Sequence, residues 1–391
     1  MNKFIKKIIM GSIILFMNGC QQQATLEVTE KIQPMDTPKI YDGKPLKVSG
    51  ERIALPSLTS LINSKQKNIE PLILDHMILS ADQHHLVLID KLTSSVLHKL
   101  SGMSVQSQPV FSHGKIYLTT AEHGLVTLSY PQLEIIHQIK IEAPLLTTPL
   151  VLENGDIFVQ YIHNYAQLFS SDLISKWKVS LPVVSNYNQF TDYKPNADNE
   201  AIFVALSGGG LVSLDQKTGV MRWNYRAADD LKQRSILDSR QVTNPINLYK
   251  DKLIMKLSDG LIKFLDKDTG VLIDSVKAKE ESPLIVQDGD LVFVNINGNI
   301  ASYDLTTMTE NWVNTQLTKY DFNSLSILDA KLVANTKNAH LFLMNLKNGE
   351  LISHYVHQYQ QARLLSGHQN DTIYGVDKFG IFFKITPETF T

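Results

Sequence analysis

Short apolar segments recur along the chain from about residue 70 to its end. They are rich in Val, Ile, Leu and Tyr, and Gly, Asn and Asp stand between them, a pattern typical of β-strands joined by tight turns. After residue 43 no stretch has the apolar spacing of a long amphipathic helix. The pattern therefore predicts an all-β fold.

One apolar segment recurs with a turn directly before it. Its copies contain Met77, Ile116, Ile157, Ile202, Leu253, Leu291, Leu332 and Ile373. The spacings are 39, 41, 45, 51, 38, 41 and 41 residues, close to the period of four-stranded propeller blades. Eight copies predict an eight-bladed β-propeller of four-stranded antiparallel blades over residues 44–391, in which residues 46–49 supply the outer strand that the last blade lacks. A two-domain mixed α/β fold is the alternative.

A turn motif follows the next segment in several repeats. Its fullest copy is Asp215-x-x-Thr-Gly219-x-x-x-Trp223, and shorter copies begin at Asp266, with Gly270, and at Asp304 and Asn345. Asp or Asn with Thr-Gly predicts a tight turn in which Gly adopts a positive φ. All three tryptophans of the chain, Trp177, Trp223 and Trp312, occupy the same place in the repeat. We expect each ring to pack between neighbouring blades.

The N-terminus has the layout of an export signal. Lys3, Lys6 and Lys7 precede an apolar run over residues 8–17, too short for a transmembrane helix. The run ends just before Cys20, the only cysteine. This boundary resembles the bacterial lipobox, although Met17 and Asn18 depart from its pattern. It predicts a lipoprotein signal peptide over residues 1–19, acylated Cys20 as membrane anchor, and a flexible tether over residues 20–43.

Composition excludes several classes of protein. Of the 391 residues, 43% are apolar and 19% charged, which is enough for a core and too little charge for a disordered chain. The net charge is −2, and removal of residues 1–19 with their three lysines leaves 34 cationic and 39 anionic residues, or −5. That balance predicts no binding to nucleic acid. One cysteine excludes intrachain disulfides and zinc sites with several thiolates.

No motif of a catalytic site is present. The chain lacks a GxSxG elbow, a P-loop, an HExxH zinc motif and a GxGxxG fingerprint. The histidines that come in pairs or clusters are expected to be solvated turn residues rather than metal ligands: His84, His85, His113, His123, His354, His357 and His368. Asp75, Asp215, Asp266 and Asp304 are expected to cap turns. We predict no enzyme activity, no metal and no cofactor.

The turn motif at blade period resembles the PQQ-type repeat, and with the lipobox the chain resembles the BamB family of outer-membrane assembly lipoproteins. The likeness is best over residues 202–274. It implies a non-catalytic, monomeric propeller on the periplasmic face of the outer membrane, which binds the POTRA domains of BamA beside other assembly lipoproteins. PQQ-dependent dehydrogenases share the repeat, so such an enzyme or a ligand-binding propeller is the alternative, but their adjacent cysteines are missing here.

Two long spacings, 45 and 51 residues, place extra chain at about residues 181–195 and 228–244. Loops on a rigid ring are suited to binding, and aromatic side chains are favoured at interfaces. The candidate partner-binding residues are Tyr187, Gln189, Phe190 and Tyr193 in the first segment and Arg234, Asp238 and Arg240 in the second. The Leu-x-Leu-Arg patch that the family has in the first segment is replaced by residues 186–189. Strand addition to an exposed outer strand is a second possible route of binding.

Overall fold

The structure is a computed structural model, and it describes residues 48–52, 69–81, 84–91, 93, 95–162, 164–182, 194–206, 208–227, 240–328, 330–357, 359, 361–365, 372–377 and 382–387. All of them belong to one compact unit, Tyr41–Thr391. They form strands and turns, and no helix occurs among them. The signal peptide, Cys20 and the tether lie outside the described residues.

The strands form eight sheets of four strands each. In each of blades 1 to 7 the four strands follow one another in sequence, and every neighbouring pair is antiparallel. The eight-bladed propeller is therefore confirmed. Blade 1 consists of β2 Leu72–Ile73, β3 Met77–Ala81, β4 His85–Asp90 and β5 Val96–Ser101, and blade 2 of β6 Val110–Ser112, β7 Lys115–Thr120, β8 Gly124–Ser129 and β9 Ile135–Ile139. Blade 3 consists of β10 Leu150–Val151, β11 Ile157–Tyr161, β12 Tyr165–Phe169 and β13 Ser175–Ser180, and blade 4 of β14 Asn196–Ala197, β15 Ala201–Leu206, β16 Gly210–Asp215 and β17 Met221–Arg226.

Blades 5 to 8 complete the ring. Blade 5 consists of β18 Asn247–Tyr249, β19 Lys252–Lys256, β20 Leu261–Asp266 and β21 Leu272–Lys277, and blade 6 of β22 Leu284–Gln287, β23 Asp290–Val294, β24 Ile300–Asp304 and β25 Thr309–Asn314. Blade 7 consists of β26 Phe322–Leu328, β27 Lys331–Thr336, β28 His340–Asn345 and β29 Leu351–Val356. Blade 8 consists of β30 Arg363–Leu364, β31 Ile373–Val376, β32 Phe382–Pro387 and, from the other end of the chain, β1 Val48–Arg52.

Both ends of the described chain meet in blade 8. Strand β1 pairs with β32, from Val48 opposite Pro387 to Arg52 opposite Phe383, and takes the outer position of that sheet. The predicted closure by an N-terminal outer strand is thus confirmed, and the described strand is Val48–Arg52, whereas the sequence placed it at residues 46–49. Blade 8 is also joined to blade 1, because Arg363 Nη2 lies 2.7 Å from Glu70 Oε1 and Lys91 Nζ lies 4.9 Å from the Tyr374 ring centroid.

The recurrent segment seen in the sequence is the second strand of every blade. In blades 2 to 4 this strand is buried along nearly its whole length, whereas the outer strands β5 and β9 are largely exposed. A second strand is covered on both faces because each sheet packs between two others, so it reads as a continuous apolar run. Proline stands directly before the inner strands that begin at Leu72, Val110, Leu150, Asn196 and Leu284.

Neighbouring blades dock through a tryptophan on one and a glycine on the next. Trp177 Nε1 donates to Gln216 O at 3.0 Å, and Trp223 Nε1 donates to Lys267 O at 2.9 Å. A Cβ added at Gly219 would lie 2.7 Å from the Trp177 ring, closer than real Cβ atoms come to other atoms. The turn therefore lies against the indole only because it carries no side chain there.

The same contact recurs between blades 6 and 7, and its absence elsewhere follows a rule. Trp312 Nε1 donates to Leu346 O at 3.1 Å, and Gly349 lies against that ring. Where the preceding blade has no tryptophan, the glycine is replaced by a larger residue that keeps the positive φ: Leu133 (61°), Leu173 (62°) and Met308 (58°). In blade 5, which precedes the blade of Met308, the position equivalent to the tryptophan is Asp274, which pairs with Phe264 on the neighbouring strand. In the turns that the structure describes, the conformation is thus shared, and glycine occupies this position where an indole lies against it.

One strand of the repeat gave no signal in the sequence. Strand β12 of blade 3 follows a turn without glycine, in which Asn164 takes a φ of 56°. Asn tolerates this left-handed conformation better than most residues. A search for Gly-marked hairpins therefore passes over it.

We expect removal of β1 to destabilise the ring. A chain that starts at residue 53 leaves β32 as an open edge, and its melting temperature should lie about 5 °C or more below that of a chain that starts at residue 44. Thermal denaturation of the two purified proteins, followed by circular dichroism, makes the comparison. Equal melting temperatures would show that β1 does not close the ring.

Candidate protein-interaction face

The ring has two faces of different construction. The turn face carries the turns between first and second strands and between third and fourth strands. The linker face carries the hairpins between second and third strands and the connections from one blade to the next. Both long segments predicted to bind a partner are such connections, because they join β13 to β14 and β17 to β18.

The repeated aspartates on the turn face are occupied within their own turns. Asp215 Oδ1 accepts hydrogen bonds from Thr218 N at 2.8 Å and Thr218 Oγ1 at 2.7 Å, and Asp266 Oδ1 is bound in the same way by Thr269. These bonds lower the pKa of both carboxyl groups. Asp304 accepts from Thr306 N and Thr307 N. In blade 1 the equivalent residue is Asp90, not Asp75, which lies in the turn between β2 and β3.

A groove of about 540 Å³ lies between blades 3 and 4 on the turn face. Two of its charged groups are paired, since Lys176 Nζ lies 2.6 Å from Asp156 Oδ2, and Asn154 Nδ2 donates to the same oxygen. Asp156 is buried, with 6% of its surface exposed. The groove therefore has its buried carboxylate already satisfied by protein groups.

Most candidate binding residues lie outside the described residues. These are Tyr187, Gln189, Phe190 and Tyr193 in the first long segment and Arg234 and Asp238 in the second. Their binding role stays a prediction. The described ends of the first segment are Pro182 and Lys194, both at the linker face.

Arg240 is the candidate that the structure describes. Its Nη2 donates to Ala227 O at 2.9 Å, and its Nη1 lies 3.7 Å from Asp259 Oδ2 on the hairpin of blade 5. Only 12% of the side chain is exposed. The guanidinium thus joins the two described ends of the second long segment, Ala227 and Arg240, and fixes them to the neighbouring blade. Its predicted contact with a partner is not tested by these interactions.

Buried polar side chains tie successive blades together on the linker side. Gln160 Nε2 donates to Ala205 O at 3.1 Å, and Asn335 Nδ2 donates to Ala362 O at 2.6 Å. Lys256, 1% exposed, donates to the carbonyl and hydroxyl oxygens of Ser282. Burial lowers the pKa of its amine to about 8, because a buried ammonium lacks the solvation of water. These groups serve to join the blades.

The expectation of solvated histidines is wrong for His354 and His357. His354 on β29 stacks on Phe342 with centroids 4.6 Å apart, and His357, 5% exposed, is enclosed by Asn335 and Tyr359. Burial and the nearby His340 lower the pKa of each to about 4. Sequence reasoning missed them because their polar neighbours Gln358, Gln360 and Gln361 read as exposed loop. His368 lies outside the described residues.

Within the described ranges, no group of three or more His, Cys, Asp or Glu side chains is placed to hold a metal ion. The same residues include no helix with the length and apolarity needed to cross a membrane.

The blade pattern and its turn motif define the class: an eight-bladed propeller of PQQ-type repeats. The profile of one family, described as outer membrane protein assembly factor BamB, matches residues 87–243 and 177–355. These two overlapping matches run through most of the propeller, and the chain belongs to this family. No curated protein sequence matches the chain significantly.

Solved structures show the same fold at low sequence identity. BamB from Moraxella catarrhalis superposes with a TM-score of 0.66 at 14% identity, covering 86% of this chain and 98% of that one. The computationally designed Ika8 protein gives 0.61 at 13%, covering 81% and 95%. Quinohemoprotein alcohol dehydrogenase from Comamonas testosteroni gives 0.59 at 10%, covering 84% and 77%. Because BamB, a designed protein and an alcohol dehydrogenase all share it, the fold does not distinguish among their functions.

Proposed function

We propose that this protein is a non-catalytic scaffold of the machinery that assembles β-barrels in the outer membrane, and that it binds the periplasmic POTRA domains of BamA. The observation that carries the proposal is the family match over residues 87–243 and 177–355. The family's description names an assembly factor. The specific partner is our inference from the resemblance.

The linker face is the surface we assign to this partner. It carries both long insertions, at residues 183–193 and 228–239, and the first contains the aromatic side chains Tyr187, Phe190 and Tyr193. Such side chains bury large areas at small cost in conformational entropy. Arg240 fixes the base of the second insertion through Ala227 and Asp259. A rigid ring with two long insertions on one face suits binding better than turnover.

The turn face supports the non-catalytic part of the proposal. Its recurrent carboxylates are bound by backbone and hydroxyl donors, and their lowered pKa values make them poor general acids near neutral pH. On the linker side, the buried amine of Lys256 is likewise engaged by Ser282. Each of these groups has a structural role that accounts for its position.

Acylated Cys20 is the proposed anchor. Two or more acyl chains are needed for stable attachment to a membrane, and a lipobox-type cysteine receives them. The proposed location is the periplasmic face of the outer membrane, with residues 20–43 as tether.

A photo-crosslinker at Tyr187 should form an adduct with BamA in intact cells, because this segment belongs to the proposed binding face. The matched control is a crosslinker at Lys217, which is exposed on the turn face. Immunoblotting and mass spectrometry identify the adduct. Absence of a BamA adduct at Tyr187, or equal yields at both positions, would refute the assigned face. Dye-linked alcohol oxidation on addition of PQQ and calcium would instead favour the dehydrogenase alternative.

Replacement of Cys20 by Ser should release the protein into the soluble periplasmic fraction, because the acyl chains can no longer be attached. Fractionation of cells that express each form, with detection of the propeller by antibody, measures the distribution. Retention of Cys20→Ser in the membrane fraction would count against lipidation as the anchor.

A further inference from the structure

His357 lies where blade 7 meets blade 8, and both of its ring nitrogens are used. Nε2 is 2.8 Å from Asn335 Oδ1, and Nδ1 accepts a hydrogen bond from Tyr359 N at 3.1 Å. Tyr359 in turn stacks on Phe383 of β32, with centroids 4.0 Å apart. His357 therefore holds the segment that leads from blade 7 into blade 8.

The neighbours of His357 allow only its neutral form. The Asn335 amide is oriented by its Nδ2, which donates to Ala362 O at 2.6 Å and to Asn323 Oδ1 at 3.1 Å, so its Oδ1 must face the imidazole as an acceptor. Nε2 then carries the proton and Nδ1 must stay unprotonated to accept from Tyr359 N. A second proton on Nδ1 would point at that N–H and leave two donors opposed without an acceptor.

The other side of blade 7, which packs on blade 6, carries a pair of histidines, His340 and His354. His340 Nδ1 lies 2.8 Å from His354 Nε2, and the two rings are stacked with centroids 5.0 Å apart. Phe342 and Tyr320 cover them, at 4.6 Å from His354 and 4.9 Å from His340. One nitrogen donates to the other, so a doubly protonated pair would lose this bond and place two positive charges in contact.

Among the described residues, few charged groups lie where they could oppose or favour protonation of these histidines. At the linker-face end of the blade 6–7 interface stand Lys279, Glu281, Asp321 and Lys337. Burial opposes ionisation of Asp321, but hydrogen bonds from Lys279 and Lys337 outweigh it and lower the pKa, so this carboxylate stays ionised in mild acid.

In blade 8, Arg363 pairs with Glu70 of blade 1. Lys384 alternates with Phe383 and Ile385, which pack on blade 7, and it therefore faces the other way. Asp377 is buried in blade 8, and the pKa of His357 is lowered nonetheless. Among the described residues of these two interfaces, the imidazoles are thus the groups that gain protons when the interfaces open in mild acid.

We propose that the two interfaces of blade 7 form an acid-sensitive joint of the ring: in mild acid, protonation of His354 and His357 opens blade 7 from blades 6 and 8, while blades without buried histidines stay closed. The inference goes beyond the scaffold function and does not depend on the identity of the partner.

The sign of the effect follows from the pKa values. Burial first, and the charge of His340 second, lower the pKa of His354 and of His357 from 6.5 to about 4 in the closed state. The open state binds more protons between these values, so closure weakens as pH falls from 6.5 toward 4. Between pH 7 and pH 5 each histidine should shift the closed-to-open equilibrium by about 20-fold.

Hydrogen exchange of the full chain at pH 7 and pH 5, read by mass spectrometry and corrected for the intrinsic rate, tests the joint. Peptides from β28, β29 and β31 should exchange at least about 20-fold faster relative to their intrinsic rates at pH 5. Peptides from β15 and β16 in blade 4 should not change. Equal acceleration in blade 4, or none in blade 7, would overturn the proposal.

Variants separate protonation from general acid damage. His354→Phe keeps a flat ring on Phe342 and removes one titrating group, so the pH effect should fall by about 20-fold. His357→Gln keeps a donor for Asn335 and should act in the same way, even if its exchange at pH 7 is higher. The matched control is exposed His98→Gln on β5, which should leave the pH effect intact. An undiminished effect in His354→Phe and His357→Gln would contradict the joint.

Discussion

The contact of an indole with a bare backbone turn is the constraint on which the ring depends. Trp223 lies flat against Gly270 of the next blade and donates to Lys267 O at 2.9 Å. One side chain thus makes an apolar contact and a hydrogen bond across the same gap between blades. The Asp turn holds Gly270 in place through Asp266 and Thr269. Because the same arrangement joins blades 3 to 4, 4 to 5 and 6 to 7, it fixes the spacing at three of the eight interfaces of the ring.

This arrangement also decides which surface is free for binding. The turn face uses its carboxylates and glycines to build the docking turns, so substitutions there act on the blades themselves. The linker face contributes less to the docking of blades. Its hydrogen bonds between blades, such as Gln160 to Ala205 and Lys256 to Ser282, are buried in the interior. Insertions on the linker face therefore leave the docking contacts unchanged, and this is where the chain has its two long segments. Assigning the partner to this face follows from that division.

Much of the fold was predictable because each blade repeats the same physical requirements. The buried second strands, the Asp-x-x-Thr-Gly turn and the closing strand near residue 48 all leave local patterns in the sequence. Strand β12 was missed because Ala166 and Gln167 interrupt its apolar run and no glycine marks the turn before it. The enclosure of half-buried His354 and of buried His357 was missed for another reason: it depends on Phe342, Asn335 and Tyr359, whose proximity is set only by the packing of blades. Likewise, Arg240 was expected at a partner surface, but no local pattern indicates its bond to Ala227 O.

A double-mutant cycle between Trp223 and Gly270 tests the docking contact most directly. In the wild-type background Gly270→Ala should cost about 2–4 kcal/mol in the free energy of unfolding, because a Cβ would lie 2.5 Å from the indole and the positive φ also disfavours Ala. With Trp223→Leu present, only the conformational cost of about 1 kcal/mol should remain. The account predicts a coupling free energy of at least about 1 kcal/mol from urea titrations of the four proteins. Additive costs, equal within about 0.5 kcal/mol, would show that blade docking does not depend on this contact.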